Sequence, residues 1–161
     1  MATPPLPDTF IYFAYGSNMS TARLRARTPS CRPLRRATLA RHDLRFHKRS
    51  TKDGTGKCDV LHTEIENDAV IGVLFEIACR DKAALDRAEG LGNGYNEKTV
   101  VVVDDNGEKA EALTYYADTD AITPSLLPTK EYKQYVVDGA EEHGISTEYV
   151  TAKIRSIATC D

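Results

Sequence analysis

Two stretches of the chain gather residue types that can move protons and hold a negatively charged oxygen. The first is Tyr12-Phe13-Ala14-Tyr15-Gly16-Ser17-Asn18. An apolar and aromatic run from Phe10 stops at a Gly-Ser-Asn turn, and a helix-like segment, Ser20 to Arg27, follows at once. A buried strand that ends in a tight loop and feeds a helix lets successive backbone N–H groups converge on an anion or a carbonyl oxygen. The second stretch is Glu89-Gly90-Leu91-Gly92-Asn93-Gly94-Tyr95. Glu89 ends a helical segment just ahead of a glycine-rich loop that can bend it toward a pocket. The negative end of the helix dipole opposes ionisation there, and partial burial opposes it further, so the carboxylate becomes a stronger base than a free glutamate. Taken singly, the two stretches also read as an ordinary first turn and a solvated last-turn glutamate.

The other sets that commonly carry chemistry are absent. The sequence holds no G-x-S-x-G, H-E-x-x-H, Walker loop or dinucleotide G-x-G-x-x-G. The glycines at 90, 92 and 94 precede a strand, so they do not form a phosphate cradle at a helix start. His42, His47, His62 and His143 stand isolated in the sequence and read as surface or structural residues. Cys58 and His62 fall on one strand face, but no acidic residue completes a nucleophilic set. Ser17 has no His or Lys partner in its motif, which points to a structural or amide-donating role. Four cysteines, at 31, 58, 79 and 160, form no CxxC pair and have no His at metal-ligand spacing. No metal site and no cofactor is expected.

The elements that position these residues follow from periodicity and turn chemistry. Residues 1–8, with Pro4, Pro5 and Pro7, read as a disordered leader, and 9–161 as a single domain. Phe10 to Ala14 is a buried strand, and Asn18 or Ser20 can cap the helix that Pro29 ends. Leu34 to Lys48 reads as two short strands or one bent one, with Leu44 and Phe46 on one face. Thr51 to Lys57 is a glycine-containing flexible loop. Val60–Ile65 and Val70–Ile77 are strand-like and joined through Glu66-Asn67-Asp68 as a hairpin. The second is apolar on both faces and should be central. Asp81 to Glu89 is a helix with Ala84, Leu85 and Ala88 as its apolar stripe and Gly90 in the left-handed position past its end. Thr99–Val103 and Ala110–Ala117 form a hairpin about Asp105-Asn106-Gly107. Thr129 caps a helix from Lys130 to His143, and Ser146 one from Thr147 to Ala158. Strands with interposed helices, then two terminal helices, make an α+β fold: a small mixed sheet or barrel with helices packed on it.

The chain has 161 residues, enough to bury a core without metals or disulfides, and a net charge of −3. That balance gives no electrostatic case for nucleic acid or an anionic membrane. The basic run from Arg32 to Arg49 is interrupted by Leu34, Leu39, Leu44 and Phe46 and reads as strands with solvated outer faces. The N-terminus lacks a secretory pattern and no apolar run reaches the ~20 residues of a membrane span. Reduced thiols in the cytoplasm are the expectation.

Together the motifs carry a resemblance. Tyr12-Phe13-Ala14-Tyr15-Gly16-Ser17-Asn18-Met19 resembles the opening motif of the γ-glutamylcyclotransferase family. Leu85-Asp86-Arg87-Ala88-Glu89-Gly90, with Gly94-Tyr95 and a β-branched strand after it, resembles the second motif. The likeness extends through Val70-Ile71-Gly72-Val73-Leu74, Leu113-Thr114-Tyr115, Tyr132-Lys133-Gln134-Tyr135 and Gly139-Ala140 with Gly144, nearly the whole chain after the leader. It implies a compact β-barrel core with flanking helices and a cofactor-free reaction on γ-glutamyl-amino acids. In that reaction the α-amine attacks its own γ-carbonyl, giving 5-oxoproline and a free amino acid. By the same resemblance Glu89 is the general base, Tyr12, Phe13, Ala14, Tyr15, Gly16 and Ser17 line the substrate pocket, and Tyr132 contacts the substrate. Tyr95 and Tyr115 are further candidates, whose plain reading is a tyrosine packed on the core with its hydroxyl in water. A homodimer is a family-level expectation. The alternatives are a cyclotransferase for γ-glutamylamines or carrier-bound γ-glutamyl groups, and a non-catalytic module that binds a small metabolite. Enzymes that cleave intact glutathione carry an opening closer to Tyr-Gly-Ser-Leu, where this chain has Asn18.

Overall fold

A computed structural model describes residues 8–161. The stretch read as a disordered leader therefore lies outside the described residues, save Asp8, whose carbonyl accepts from the Cys79 N–H at 2.9 Å. Five strands close into a barrel in the order β1 (Thr9–Ala14), β5 (Ala69–Ala78), β2 (Arg32–Ala40), β6 (Tyr95–Asp104), β7 (Lys109–Ala117). Neighbours pair antiparallel except at the seam, where β1 meets β7 in parallel at Tyr12 and Leu113. β5 lies between β1 and β2, as its two apolar faces demand: Val70, Val73, Leu74, Phe75 and Ile77 are all buried. The mixed barrel with flanking helices expected from the sequence is the fold observed.

Of the two readings of Leu34 to Lys48, two strands or one bent one, the first is observed, and two connections after it differ from the sequence reading. Leu34 to Lys48 holds two strands, β2 and β3 (His42–Arg49), split at Arg41, which adopts a left-handed φ of 64°. That single residue sends the chain out of the barrel. β3 then pairs with β4 (Gly56–His62) in a separate two-stranded ribbon, with Leu44 opposite Val60. The hairpin expected between β4 and β5 through Glu66-Asn67-Asp68 is therefore absent. β5 has both edges filled by β1 and β2, and β4 takes β3 instead. The loop expected from Thr51 is shorter too, because Gly56 and Lys57 already belong to β4.

The helices lie where their caps place them. Ser20, Thr129 and Ser146 each accept a hydrogen bond from the backbone three residues on, at 3.1–3.3 Å, and open α1 (Thr21–Arg27), α3 (Lys130–Glu142) and α4 (Thr147–Val150). α4 continues as a π-helical turn, Thr151–Arg155, and stops three residues short of the expected Ala158. α2 (Lys82–Glu89) ends at Gly90, left-handed as expected, with φ 76°. Of its expected apolar stripe only Leu85 is fully buried, and Ala88 is exposed. No helix among the described residues is long and apolar enough to cross a membrane.

Phe13, Leu39, Val70, Leu74 and Val102 share one face of the paired strands and fill the barrel, while Val73, Phe75 and Ile77 are buried on the opposite face of β5; a buried side chain of this size contributes roughly 1.5–3 kcal/mol. Helix α3 clamps the turn that follows β1. His143 Nε2 lies 2.9 Å from the Met19 carbonyl oxygen, and Gly139 faces Met19 and Ser20 so closely that a Cβ there would sit 2.5 Å from the Ser20 nitrogen. This predicts an inverted sign for a helical glycine. Gly139→Ala should destabilise the fold by about 1–3 kcal/mol, through overpacking against backbone, where helix propensity alone would favour alanine by about 1 kcal/mol. Denaturant unfolding of the variant measures it, and a gain in stability would contradict the clamp.

Candidate active site

The strand β1 delivers Tyr12 and Tyr15 to one end of the barrel. The chain then turns through Gly16 and a single 3-10 turn, Ser17–Met19, into α1. The opening N–H groups of such a turn have no intrahelical acceptor. Across from it, α2 ends at Glu89, and the left-handed Gly90 and the Leu91 N–H bond to Asp86 O (2.9 Å) fold the chain back. Between them lies a cavity of about 300 Å³, lined by Tyr12, Tyr15, Gly16, Ser17, Asn18, Cys58, Glu89, Tyr95, Tyr115 and Tyr132.

Glu89 is tied directly to the opening motif. The Asn18 side-chain amide donates to Glu89 Oε1 and lies 3.2 Å from the Tyr12 hydroxyl. Arg27, at the end of α1, donates to Asn18 Oδ1 at 3.0 Å and stands 3.9 Å from Glu89 Oε1. The carboxyl of Glu89 is pushed above the ordinary 4.5, and burial is the largest cause. Arg27, then Asn18, pull it back and keep it ionisable.

The aromatic walls are hydrogen-bonded, which corrects the plain reading of Tyr95 and Tyr115. Tyr95 donates its hydroxyl to the Cys58 carbonyl at 2.5 Å, and Tyr132 accepts from the Cys58 N–H at 3.1 Å. Tyr15 donates to the Tyr115 carbonyl at 2.6 Å, and Tyr115 donates to Asp86 at 2.6 Å. Burial holds all of these phenols well above their usual range, so they are neutral. The Cys58 thiol is pushed up to about 12 by burial and stays protonated, consistent with its dismissal as a nucleophile.

Eight of the ten expected site residues, Tyr12, Tyr15, Gly16, Ser17, Glu89, Tyr95, Tyr115 and Tyr132, meet at this cavity. Phe13 and Ala14 do not. Both are fully buried in the core, because alternation along β1 turns Phe13 away from Tyr12 and Ala14 ends the strand against Val73. Asn18 and Cys58 also line the cavity and were not among the expected site residues. Asn18 sits inside the motif, where a turn or capping role accounts for it; Arg27 gave no signal beyond suiting a helix C-terminus. Distant pairing corrects two further readings. His47, isolated in the sequence, lies 2.6 Å from Asp59, which also accepts from the Ala117 N–H at 2.7 Å. Lys48, read as part of a solvated basic run, is buried. No grouping of three or more metal-ligating side chains occurs among the described residues.

The sequence profile of the AIG2-like family matches residues 69–152. Bovine γ-glutamylcyclotransferase is 31% identical over 157 residues, covering 96% of this chain and 81% of that protein. The human one is 30% identical over 162 residues, covering 99% and 84%. The chain belongs to the γ-glutamylcyclotransferase family. A solved γ-glutamyl cyclotransferase superposes with a TM-score of 0.86 at 28% identity, over 96% of this chain and 90% of that one. The stretch matched by the AIG2-like profile contains Glu89, Tyr95, Tyr115 and Tyr132; β1 and its loop lie outside it.

The electrostatics of Glu89 yield a sign. Arg27→Gln removes a cation that favours the carboxylate, so the Glu89 midpoint should rise further above its already raised value. Carbon-detected NMR titration of the side-chain carboxyl reads it directly. A wild-type midpoint at or below 4.5, or a downward shift in the variant, would contradict the geometry.

Proposed function

We propose that the chain is a γ-glutamylcyclotransferase, which converts γ-glutamyl-amino acids to 5-oxoproline and a free amino acid. The observation that carries this reading is the largely buried Glu89 carboxyl, its side chain 17% exposed at the cavity, joined by Asn18 to the loop that must receive the substrate. The substrate enters as an ammonium and attacks only as an amine, so a base must take its proton. A carboxylate whose pKa is raised by burial is better suited to that than a solvated glutamate.

The attacking nitrogen forms a bond to the γ-carbon, and the bond from that carbon to the amino-acid nitrogen breaks. Two protons leave the attacking nitrogen and two arrive on the departing one, so the reaction balances within the substrate and one shuttling carboxyl. This supports a cofactor-independent reaction. The oxyanion of the tetrahedral intermediate is assigned to the N–H groups around Gly16 and Ser17, at the start of the 3-10 turn. Nucleophile and electrophile share one molecule, so the protein mainly has to hold the folded conformer. The neutral tyrosines suit that task, because they pack against the substrate's methylenes while their hydroxyls stay bonded to the protein. A cytoplasmic setting and a part in the metabolism of γ-glutamyl compounds are part of the proposal, supported by cysteines that are all free among the described residues.

Glu89→Gln tests the assignment. Release of 5-oxoproline should fall by about 10²–10⁴-fold, the usual loss for a general base. The fold should not suffer. A carboxyl raised in the folded state stabilises it below the ordinary carboxyl range and loses that contribution as pH rises through the raised value. At pH 7 the neutral glutamine should therefore match or exceed the wild-type Tm, and the advantage should fade toward acid. Near-native turnover in a folded variant would remove Glu89 from the mechanism.

A further inference from the structure

The inner cavity opens into a larger recess of about 1070 Å³, which shares Ser17, Glu89, Tyr95 and Tyr132 with it. Six cations line this recess: Arg23, Arg27, Lys48, Lys52, Lys57 and Arg87. Glu89 is the one carboxylate among its lining residues. The chain as a whole carries a net charge of −3, so the concentration is local.

Several of these cations are built in. Lys48 is only 5% exposed, and Glu89 is the carboxylate that faces it across the recess. Its Nζ lies over the Tyr95 ring at 4.6 Å. The left-handed Gly94, φ 116°, leaves room for it, since a Cβ there would sit 2.9 Å from Lys48 Cε. The Arg23 guanidinium stacks on Tyr135 at 4.4 Å, and its buried Nε has no hydrogen-bond partner. Lys57 stacks on the Tyr132 ring at 4.1 Å. Six cations share one lining carboxylate, Glu89, so positive charge is in excess in this recess, and a bound anion would offset it.

In the cyclotransferase reading, on which this inference rests, the γ-carbonyl sits in the inner cavity and the leaving nitrogen points to its mouth. The leaving amino acid then occupies the recess. Its single α-carboxylate would use only part of the positive wall. We propose that the recess selects γ-glutamyl compounds whose leaving group carries additional negative charge, such as a dicarboxylic amino acid or a short acidic chain.

The experiment compares kcat/KM for γ-glutamylglutamate, its neutral near-isostere γ-glutamylglutamine, and γ-glutamylalanine, with 5-oxoproline as the readout. γ-Glutamylglutamate should lead γ-glutamylglutamine by about tenfold, and the lead should shrink between about 50 and about 500 mM salt. Lys52 and Arg87 are exposed and stand outside the proton-transfer set. The double variant Lys52→Gln/Arg87→Gln should lower the ratio of kcat/KM for γ-glutamylglutamate to that for γ-glutamylglutamine several-fold, and an unchanged ratio would overturn the inference. Equal rates for the acidic and neutral dipeptides, beside robust γ-glutamylalanine turnover, would overturn the inference and leave the cyclotransferase reading standing. No 5-oxoproline from any of the three would overturn both.

Discussion

The site depends on one largely buried carboxyl and on what holds it. Glu89 sits where burial disfavours its charge, and a carboxylate in that position needs partners to persist. Asn18 supplies one from the opposite side, with its amide toward Glu89 and its carbonyl toward Arg27. The same amide reaches the Tyr12 hydroxyl, so one side chain links strand β1, helix α1 and the end of helix α2. Remove that link and the base loses both its orientation and its balance between a raised pKa and the capacity to ionise.

The barrel is arranged around the demand this makes on backbone position. Gly72 on β5 lies against β1 so closely that a Cβ would approach the Ala14 carbonyl oxygen to 2.4 Å, which fixes the strand end from which the loop departs. Gly139 does the same from α3 against Met19 and Ser20. The loop is thus held on two sides by close backbone approach, a stiffer restraint than side-chain packing. The β3–β4 ribbon supplies the third wall, with Cys58 bonded through its backbone to Tyr95 and Tyr132.

Much of this was legible in the sequence where the signal was local. The strand, loop and helix around Tyr12–Met19, the caps at Ser20, Thr129 and Ser146, and the left-handed Gly90 all rest on neighbouring residues. The doubly apolar Val70–Ile77 announced a central strand. What failed was long-range pairing. A turn-like Glu66-Asn67-Asp68 suggested a hairpin, yet strand partners are chosen by competition among edges, and β5 already had both filled. The same limit hid Arg27, His47 and Lys48, whose types suit a solvated surface and whose roles depend on residues far along the chain. Phe13 and Ala14 show a second limit: the motif marks a continuous stretch, while strand alternation turns Phe13 away from the cavity and Ala14 packs against Val73 at the strand end.

The central claim is geometric: one carboxyl reaches the amine while the loop amides reach the carbonyl. A crystal structure of the wild-type protein with an inert γ-glutamyl analogue, its scissile nitrogen replaced by a methylene, tests it most directly. The account predicts the α-nitrogen within about 2.6–3.2 Å of a Glu89 oxygen, with the γ-carbonyl oxygen facing the Gly16 and Ser17 N–H groups. An α-nitrogen turned away from Glu89, with the γ-carbonyl out in the cationic recess, would contradict it.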